Sequence, residues 1–258
     1  MIIGGIEKLT LIDYPGEVAA IVFTQGCNFR CRFCYNPMLV WPAGLDELKY
    51  RQNDHSEIKE DDLFAFLKTR VGKLDAVVIT GGEPTLHLDL PEFIGKIKAL
   101  GFKVKLDTNG TNPERLRAII PSPSPSLTFH PATHPSQERG VMVDYLAMDI
   151  KAPLEKYEPV VGAPANLEKI KKSIKIIMNS GLPYEFRTTL VPGLHEKKDI
   201  AKMGEMIRGA DKWFLQFFKS DTELVSHDFE GWPRFTEKEM EEMKNIAAGF
   251  VKQAEARG

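Results

Sequence analysis

Six short apolar runs, most of them followed by a stretch with helical spacing, constrain this 258-residue chain more than any other feature. The runs are Ala19 to Thr24, Ala76 to Thr80, Phe102 to Asp107, Asp144 to Asp149, Tyr184 to Leu190 and Trp213 to Phe218. Helical spacing is clearest over Leu90 to Leu100 and Leu167 to Asn179, with Gly101 and Gly181 as stop signals. Strand and helix in alternation give βα units and a parallel sheet, so the expected fold class is α/β. Asp13-Tyr14-Pro15-Gly16 reads as a turn between two early strands. With 43% hydrophobic residues the chain can bury a sizeable core, and α/β barrels of this length commonly run undivided, so residues 1–258 are expected to form one domain. Residues 121–140, PSPSPSLTFHPATHPSQERG, read as a flexible Pro/Ser-rich insertion.

Charge and hydropathy exclude several classes of function. A net charge of -2 lacks the basic footprint of a nucleic-acid binder. No apolar stretch approaches a membrane span, and MIIGGIEKLTLIDYPG has no signal-peptide pattern. The expectation is a cytoplasmic protein with neither nucleic acid nor membrane as a partner.

The chain has three cysteines, Cys27, Cys31 and Cys34, in the pattern C-x3-C-x2-C. Scattered at random, three cysteines would fall this way on the order of once in 10^4 tries. Iron-sulfur clusters are held by cysteine thiolates, usually four, and structural zinc takes four ligands. Three thiolates leave one iron of a cluster open, whereas zinc would need a distant histidine such as His55 or His87. Buried helical cysteines are the bland alternative, since i, i+4 and i+7 share a helix face. Gly26 and the polar Asn28, Arg30 and Arg32 instead place the thiols on a loop after the first run.

This pattern resembles that of the radical S-adenosylmethionine superfamily, in which it holds a 4Fe-4S cluster whose open iron is chelated by the cofactor's amino and carboxylate groups. TGGEP, Thr80 to Pro84, resembles the superfamily's glycine-rich element, which lines up backbone beside the methionine amino group. A lone Gly-Gly would more often be only a turn. Functional residues of parallel α/β barrels gather at the C-terminal ends of strands. Here Cys27, Gly81-Gly82-Glu83, Asp107-Thr108-Asn109 and Asp149-Ile150-Lys151 follow or end four successive runs, and Arg187 and Gln216 lie in the last two. The arrangement resembles the superfamily's partial (β/α)6 barrel, open along one side.

LIDYPG, QGCNFRCRFCYNP, TGGEPTL, DTNG, YLAMDIKAP and FRTTLVPG together resemble the anaerobic ribonucleoside-triphosphate reductase activating proteins over Leu11 to Gly193. That resemblance implies a glycyl-radical-enzyme activase: an electron from flavodoxin or ferredoxin reduces the cluster, S-adenosylmethionine is cleaved, and the 5'-deoxyadenosyl radical takes a hydrogen from a glycine of the partner. It implies cluster ligation by Cys27, Cys31 and Cys34. Cofactor contacts fall to Phe33, Cys34, Tyr35, Gly81, Gly82, Glu83, Asp107, Thr108, Asn109, Asp149, Ile150, Lys151, Arg187 and Gln216. In relatives that activate pyruvate formate-lyase, positions matching Asp107, Thr108 and Asp149 also hold a monovalent cation.

The chain departs from that pattern at Tyr35, where the family commonly has histidine, and at Phe217-Phe218, where formate-lyase activators have Tyr-His. His130 and His134 have metal-like spacing, but Pro131 and Pro135 oppose the helix that would bring them together. Lys169, Lys171, Lys172 and Lys175 read as a solvated helix face before a docking patch. Two other classes remain open: a radical enzyme acting on a small molecule, like 7-carboxy-7-deazaguanine synthase, and a non-enzymatic metal or cluster carrier. The carrier would leave TGGEP and the strand-end Asp and Lys residues without a purpose.

Overall fold

The computed structural model describes residues 1–41, 58–120 and 143–258. Eight strands lie side by side in chain order: β1 (Ile3–Thr10), β2 (Ala19–Thr24), β3 (Ala76–Gly81), β4 (Lys103–Thr108), β5 (Tyr145–Asp149), β6 (Tyr184–Leu190), β7 (Lys212–Phe217) and β8 (Gln253–Arg257). β1 runs antiparallel to β2 across the Asp13 to Gly16 turn, and each later neighbour pair is parallel. Among the described residues β1 and β8 do not pair, so the sheet remains an open partial barrel.

The helices are α1 (Pro37–Val40), α2 (Glu60–Lys68), α3 (Leu90–Ala99), α4 (Pro113–Ile119), α5 (Tyr157–Val161), α6 (Leu167–Met178), α7 (Lys197–Met206) and α8 (Glu237–Ala247). α6 starts where the Asn166 side chain accepts a hydrogen bond from the Lys169 N–H. It buries Ile170, Ile174 and Ile177. Lys171 and Lys172 pair outside with Glu168 and Glu114, as a solvated face should. The sequence also anticipates the six central strands, to within a residue at each end. β8 is the addition, a seventh parallel strand whose sequence, QAEAR, has only two small apolar residues to betray it.

The period of two along the strands sorts side chains between two environments. Val104 and Leu106, Leu146 and Met148, and Trp213 and Leu215 belong to the large core that also holds the buried helix residues. The intervening positions line the inside of the barrel: Asp107 on β4, Asp149 on β5, Arg187 and Thr189 on β6, and Gln216 on β7 all border one cleft. Segment 121–140, with His130 and His134, and also His55, lies outside the described residues.

Candidate active site

The cysteine loop leaves β2 through Gly26, which takes a left-handed φ of 95°. It closes on itself, because the N–H groups of Gly26 and Cys27 donate to the carbonyls of Leu39 (2.8 Å) and Val40 (3.0 Å) in α1. No helix spans the three cysteines, so the helical-stripe account falls. Two other segments fasten the loop. Arg30 N–H donates to Val161 at the end of α5 (2.8 Å), and Val225 and Ser226, after β7, donate to Cys34 and Arg32 (3.0 Å each). Arg32 adds an ion pair to Asp228 (2.7 Å). The Arg30 guanidinium lies 4.1 Å from the Trp41 ring and donates to the carbonyls of Cys27 and Phe29.

Burial pushes the thiols of Cys27 and Cys31 up to about 11 and about 12 respectively and raises Cys34 as well, with Lys151 pulling the other way on all three. At neutral pH such thiols stay protonated, and a bound metal, which takes the thiolate, would compensate for the burial. Among the described residues no three His, Cys, Asp or Glu side chains gather closely enough to hold a single metal ion. A multi-iron cluster, whose cysteine ligands bind different irons, suits that spread better than a four-ligand zinc. The Phe29 N–H is directed at Cys27 Sγ (3.4 Å) and the Asn109 amide nitrogen stands 4.0 Å from it, donors suited to a thiolate. The loop therefore fits a cluster.

The glycine-rich turn after β3 abuts the base of this loop. A Cβ on Gly82 would overlap the carbonyl oxygen of Gly26 and stand 2.8 Å from that of Leu39, while one on Gly81 would strike the backbone of Thr24. Resemblance alone gives Gly82 a place beside the methionine moiety; the structure gives its missing side chain a second reason, close packing of backbone on backbone. Glu83 is wholly buried, and its carboxylate accepts hydrogen bonds from Thr85 N–H, Thr85 Oγ1, Thr108 Oγ1 and Asn109 N–H. With those donors in place it knits the ends of β3 and β4 together. Asn109 extends the tie to the cysteine loop through Asn28 (2.9 Å).

Across the mouth, three neighbouring strands contribute one charge network. Arg187 on β6 stands in register with Asp149 on β5. Its Nε donates to Asp149 Oδ1 (2.9 Å) and its Nη1 reaches past to Asp107 Oδ2 on β4 (2.8 Å). Lys151 donates to the other Asp149 oxygen (3.0 Å). Despite burial, Arg187 and then Lys151 hold the Asp149 carboxyl well below the usual range, and Asp149 holds Lys151 well above its own. These groups offer what a zwitterionic, cationic ligand needs: carboxylates for ammonium and sulfonium, cations for a carboxylate. The monovalent cation implied by resemblance does not fit. Both Asp149 oxygens and Asp107 Oδ2 already hold side-chain cations, and Thr108 Oγ1 donates to Glu83 and accepts from Gly110 N–H.

All the sequence-derived site residues except Ile150 border a single cleft of about 360 Å³, within the range of ligand sites. Ile150 is a correction. Its side chain is fully buried in the core, and its backbone bonds to Arg187 and Thr188 instead. Phe217 and Phe218 are not among the cleft's lining residues, and Phe218 packs edge-on to Phe229. Sequence reading missed Thr189, Glu7 and Asp13, which also line the cleft. Beneath it lie Lys105 and Glu185, both buried, 3.3 Å apart. Alternate polar residues in KVKLDT and YEFRTTL were the signal for Lys105, Glu185 and Thr189. His195 was missed too: its Nδ1 accepts from Val191 N–H and its Nε2 donates to the Lys151 carbonyl, which fixes a neutral ring behind Lys151.

The open parallel barrel with a three-cysteine loop at its mouth is the architecture of the radical SAM superfamily, to which this chain belongs; the superfamily's model matches residues 21–207. Within it the chain groups with the glycyl-radical-enzyme activating enzymes. It is 32% identical over 257 residues, 97% of this chain and 93% of the relative, to a Methanocaldococcus jannaschii protein named as one of them. Similarity to the 7-carboxy-7-deazaguanine synthase of Halobacterium salinarum is 31% over 125 residues, 48% of this chain and 44% of that protein. In fold it matches a domain of pyruvate-formate lyase-activating enzyme from Bacteroides vulgatus, with a TM-score of 0.51 and 18% identity over 71% of this chain and 99% of that one. Among the described residues no helix is long and apolar enough to cross a membrane.

Proposed function

We propose that this chain, acting as one domain in the cytoplasm, installs a glycyl radical in an anaerobic ribonucleoside-triphosphate reductase, with flavodoxin or ferredoxin as electron donor. The observation that carries the reading is the convergence of Cys27, Cys31 and Cys34 with Asp149, Lys151 and Arg187 on one cleft. A 4Fe-4S cluster on the three cysteines would supply the electron that cleaves S-adenosylmethionine. The chain supplies orientation and exclusion of water. Lys151 and the free N–H donors of Arg187 take the cofactor's carboxylate, and the backbone of Gly81 and Gly82 takes its ammonium. Tyr35, half exposed at the mouth, and Gln216 on β7 border the space left for the nucleoside. The open edge between β1 and β8 leaves an approach for a glycine-bearing loop.

The choice of reductase rests on the run of motifs from LIDYPG to FRTTLVPG. Action on a small molecule is the second reading, favoured by the deazaguanine synthase similarity, which stops short of half the chain. The test is anaerobic incubation of cluster-loaded protein with S-adenosylmethionine, reductant and the candidate reductase. The expected result is 5'-deoxyadenosine together with a glycyl-radical doublet in electron paramagnetic resonance, both lost when the partner's radical glycine becomes alanine. A doublet with a formate-lyase and none with the reductase would move the assignment to that partner. A small metabolite altered in step with cofactor cleavage, with no doublet from any glycyl-radical protein, would replace it.

A further inference from the structure

The Asp107–Asp149 pair raises a question of charge: which cation neutralises two carboxylates at the centre of the cleft. Two carboxylates on neighbouring strand ends that share one guanidinium repel one another and need that counter-charge to stay ionised together. Their four oxygens are accounted for one by one. Arg187 takes one from each, at 2.8 and 2.9 Å, Lys151 takes the second oxygen of Asp149 at 3.0 Å, and Asp107 Oδ1 lies 3.7 Å from Lys105 Nζ. Asp107 Oδ1 has no hydrogen-bond partner among the described residues. It is the one side-chain oxygen of the set left for a metal. Hard metal ions are held by shells of several oxygens, and the Thr108 hydroxyl beside Asp107 is engaged on both sides.

We infer that the Arg187 guanidinium is the built-in counter-ion of this carboxylate pair, and that the cleft takes its cofactor without a monovalent metal ion. This rests on the reading of the cleft as the S-adenosylmethionine site. The geometry suits a guanidinium: a rigid fork spans two acceptors on different strands, which a compact ammonium on the same stem could not do at once. Two of its five N–H donors are used, so three remain for a ligand. Arg187 is held in turn by the sheet, since β6 pairs with β5 at Asp149 itself. Its charge therefore sits at a fixed place whatever the salt outside.

The experiment is calorimetric titration of cluster-loaded protein with S-adenosylmethionine in potassium, sodium or tetramethylammonium chloride at equal ionic strength, paired with sodium-23 line widths of the protein without cofactor. Wild-type affinity should agree within about twofold across the three salts, and sodium should show no site-specific broadening. Arg187→Gln keeps an amide donor but removes the charge; it should bind at least about tenfold more weakly in tetramethylammonium and recover with potassium or sodium. Arg187→Lys, used if the Gln variant fails to fold, should bind weakly in all three salts, because it keeps the charge but not the two-armed bridge. Wild-type affinity that rises about tenfold with an alkali cation, sodium broadening that Asp107→Asn abolishes, or a folded Arg187→Gln protein indifferent to cation would each overturn the inference. Absence of cofactor binding in every salt would instead remove the cofactor assignment, and the sodium line widths would still read the state of the pair.

Discussion

Gly82 and Gly26 meet backbone to backbone: a Cβ on Gly82 would lie 2.6 Å from the carbonyl carbon of Gly26, whose oxygen accepts the N–H of Glu83 at 2.8 Å. The end of β3 and the root of the cysteine loop are thus one piece of structure. Any side chain at position 82 has to push against backbone, which cannot rotate away. Gly82→Ala should therefore destabilise the metal-free protein by about 1–3 kcal/mol, the range for overpacking, and lower iron content after reconstitution. Thermal unfolding and iron analysis read the two effects. An unchanged melting temperature with weaker cofactor binding alone would return Gly82 to a purely ligand-facing role.

Lys105 and Glu185 form a buried pair beneath the cleft, with Tyr145 donating to the second carboxylate oxygen (3.0 Å) and Arg257 of β8 to the first (3.1 Å). Removing Lys105 leaves the wholly buried Glu185 with only the partly exposed Arg257 as counter-charge, and removing Glu185 leaves Lys105 only Asp107, 3.7 Å away. Lys105→Met should cost about 3–5 kcal/mol, while Lys105→Met combined with Glu185→Leu should cost less than either single change. Denaturant unfolding of the three variants checks this. A double variant as unstable as the sum of the singles would show that the pair does not act as a unit.

Acid should unfold the protein in two stages. Burial lowers the pKa of His195 from its ordinary 6.5, so the unfolded chain takes up that proton first, and the stability held in the neutral ring is present above about 6.5 and lost as pH falls below it. The Asp149 carboxyl, held down by Arg187 and Lys151, has an unfolded value near 3.8; its contribution is complete above that pH and is lost on further acidification. His195→Gln should flatten the upper stage and leave the lower one. Unfolding free energy measured from about pH 7.5 to about pH 2 checks this, and a stability that rises on acidification through pH 6 in the wild type contradicts it.

How much of this was legible beforehand follows the strength of local signals. β2 and β3 were readable because apolar β-branched residues cluster between turn residues, and a strand buried on both faces cannot hide in composition. β8 was not, because an edge strand of alternating alanine and charge has little burial to record in its sequence. At the site, chemistry-bearing residues at strand ends were visible in line, and all but Ile150 border the cleft. Ile150 failed because one step along a strand reverses the face. The partnership of Arg187 with Asp107 could not be read at all, since it joins residues 80 positions apart through the sheet order rather than through any spacing.

The central claim, that Cys27, Cys31 and Cys34 carry an iron-sulfur cluster that cleaves S-adenosylmethionine, is tested most directly by one assay on one pair of proteins. Wild type and the Cys31→Ala variant are reconstituted anaerobically, analysed for metal and sulfide, and incubated with dithionite and S-adenosylmethionine. The wild type should hold about four iron and four sulfide per chain and release 5'-deoxyadenosine. Cys31 is the most buried of the three and the chain has no fourth cysteine to replace it, so the variant should release none. Zinc in place of iron in the wild type, or cofactor cleavage undiminished in the variant, would contradict the account.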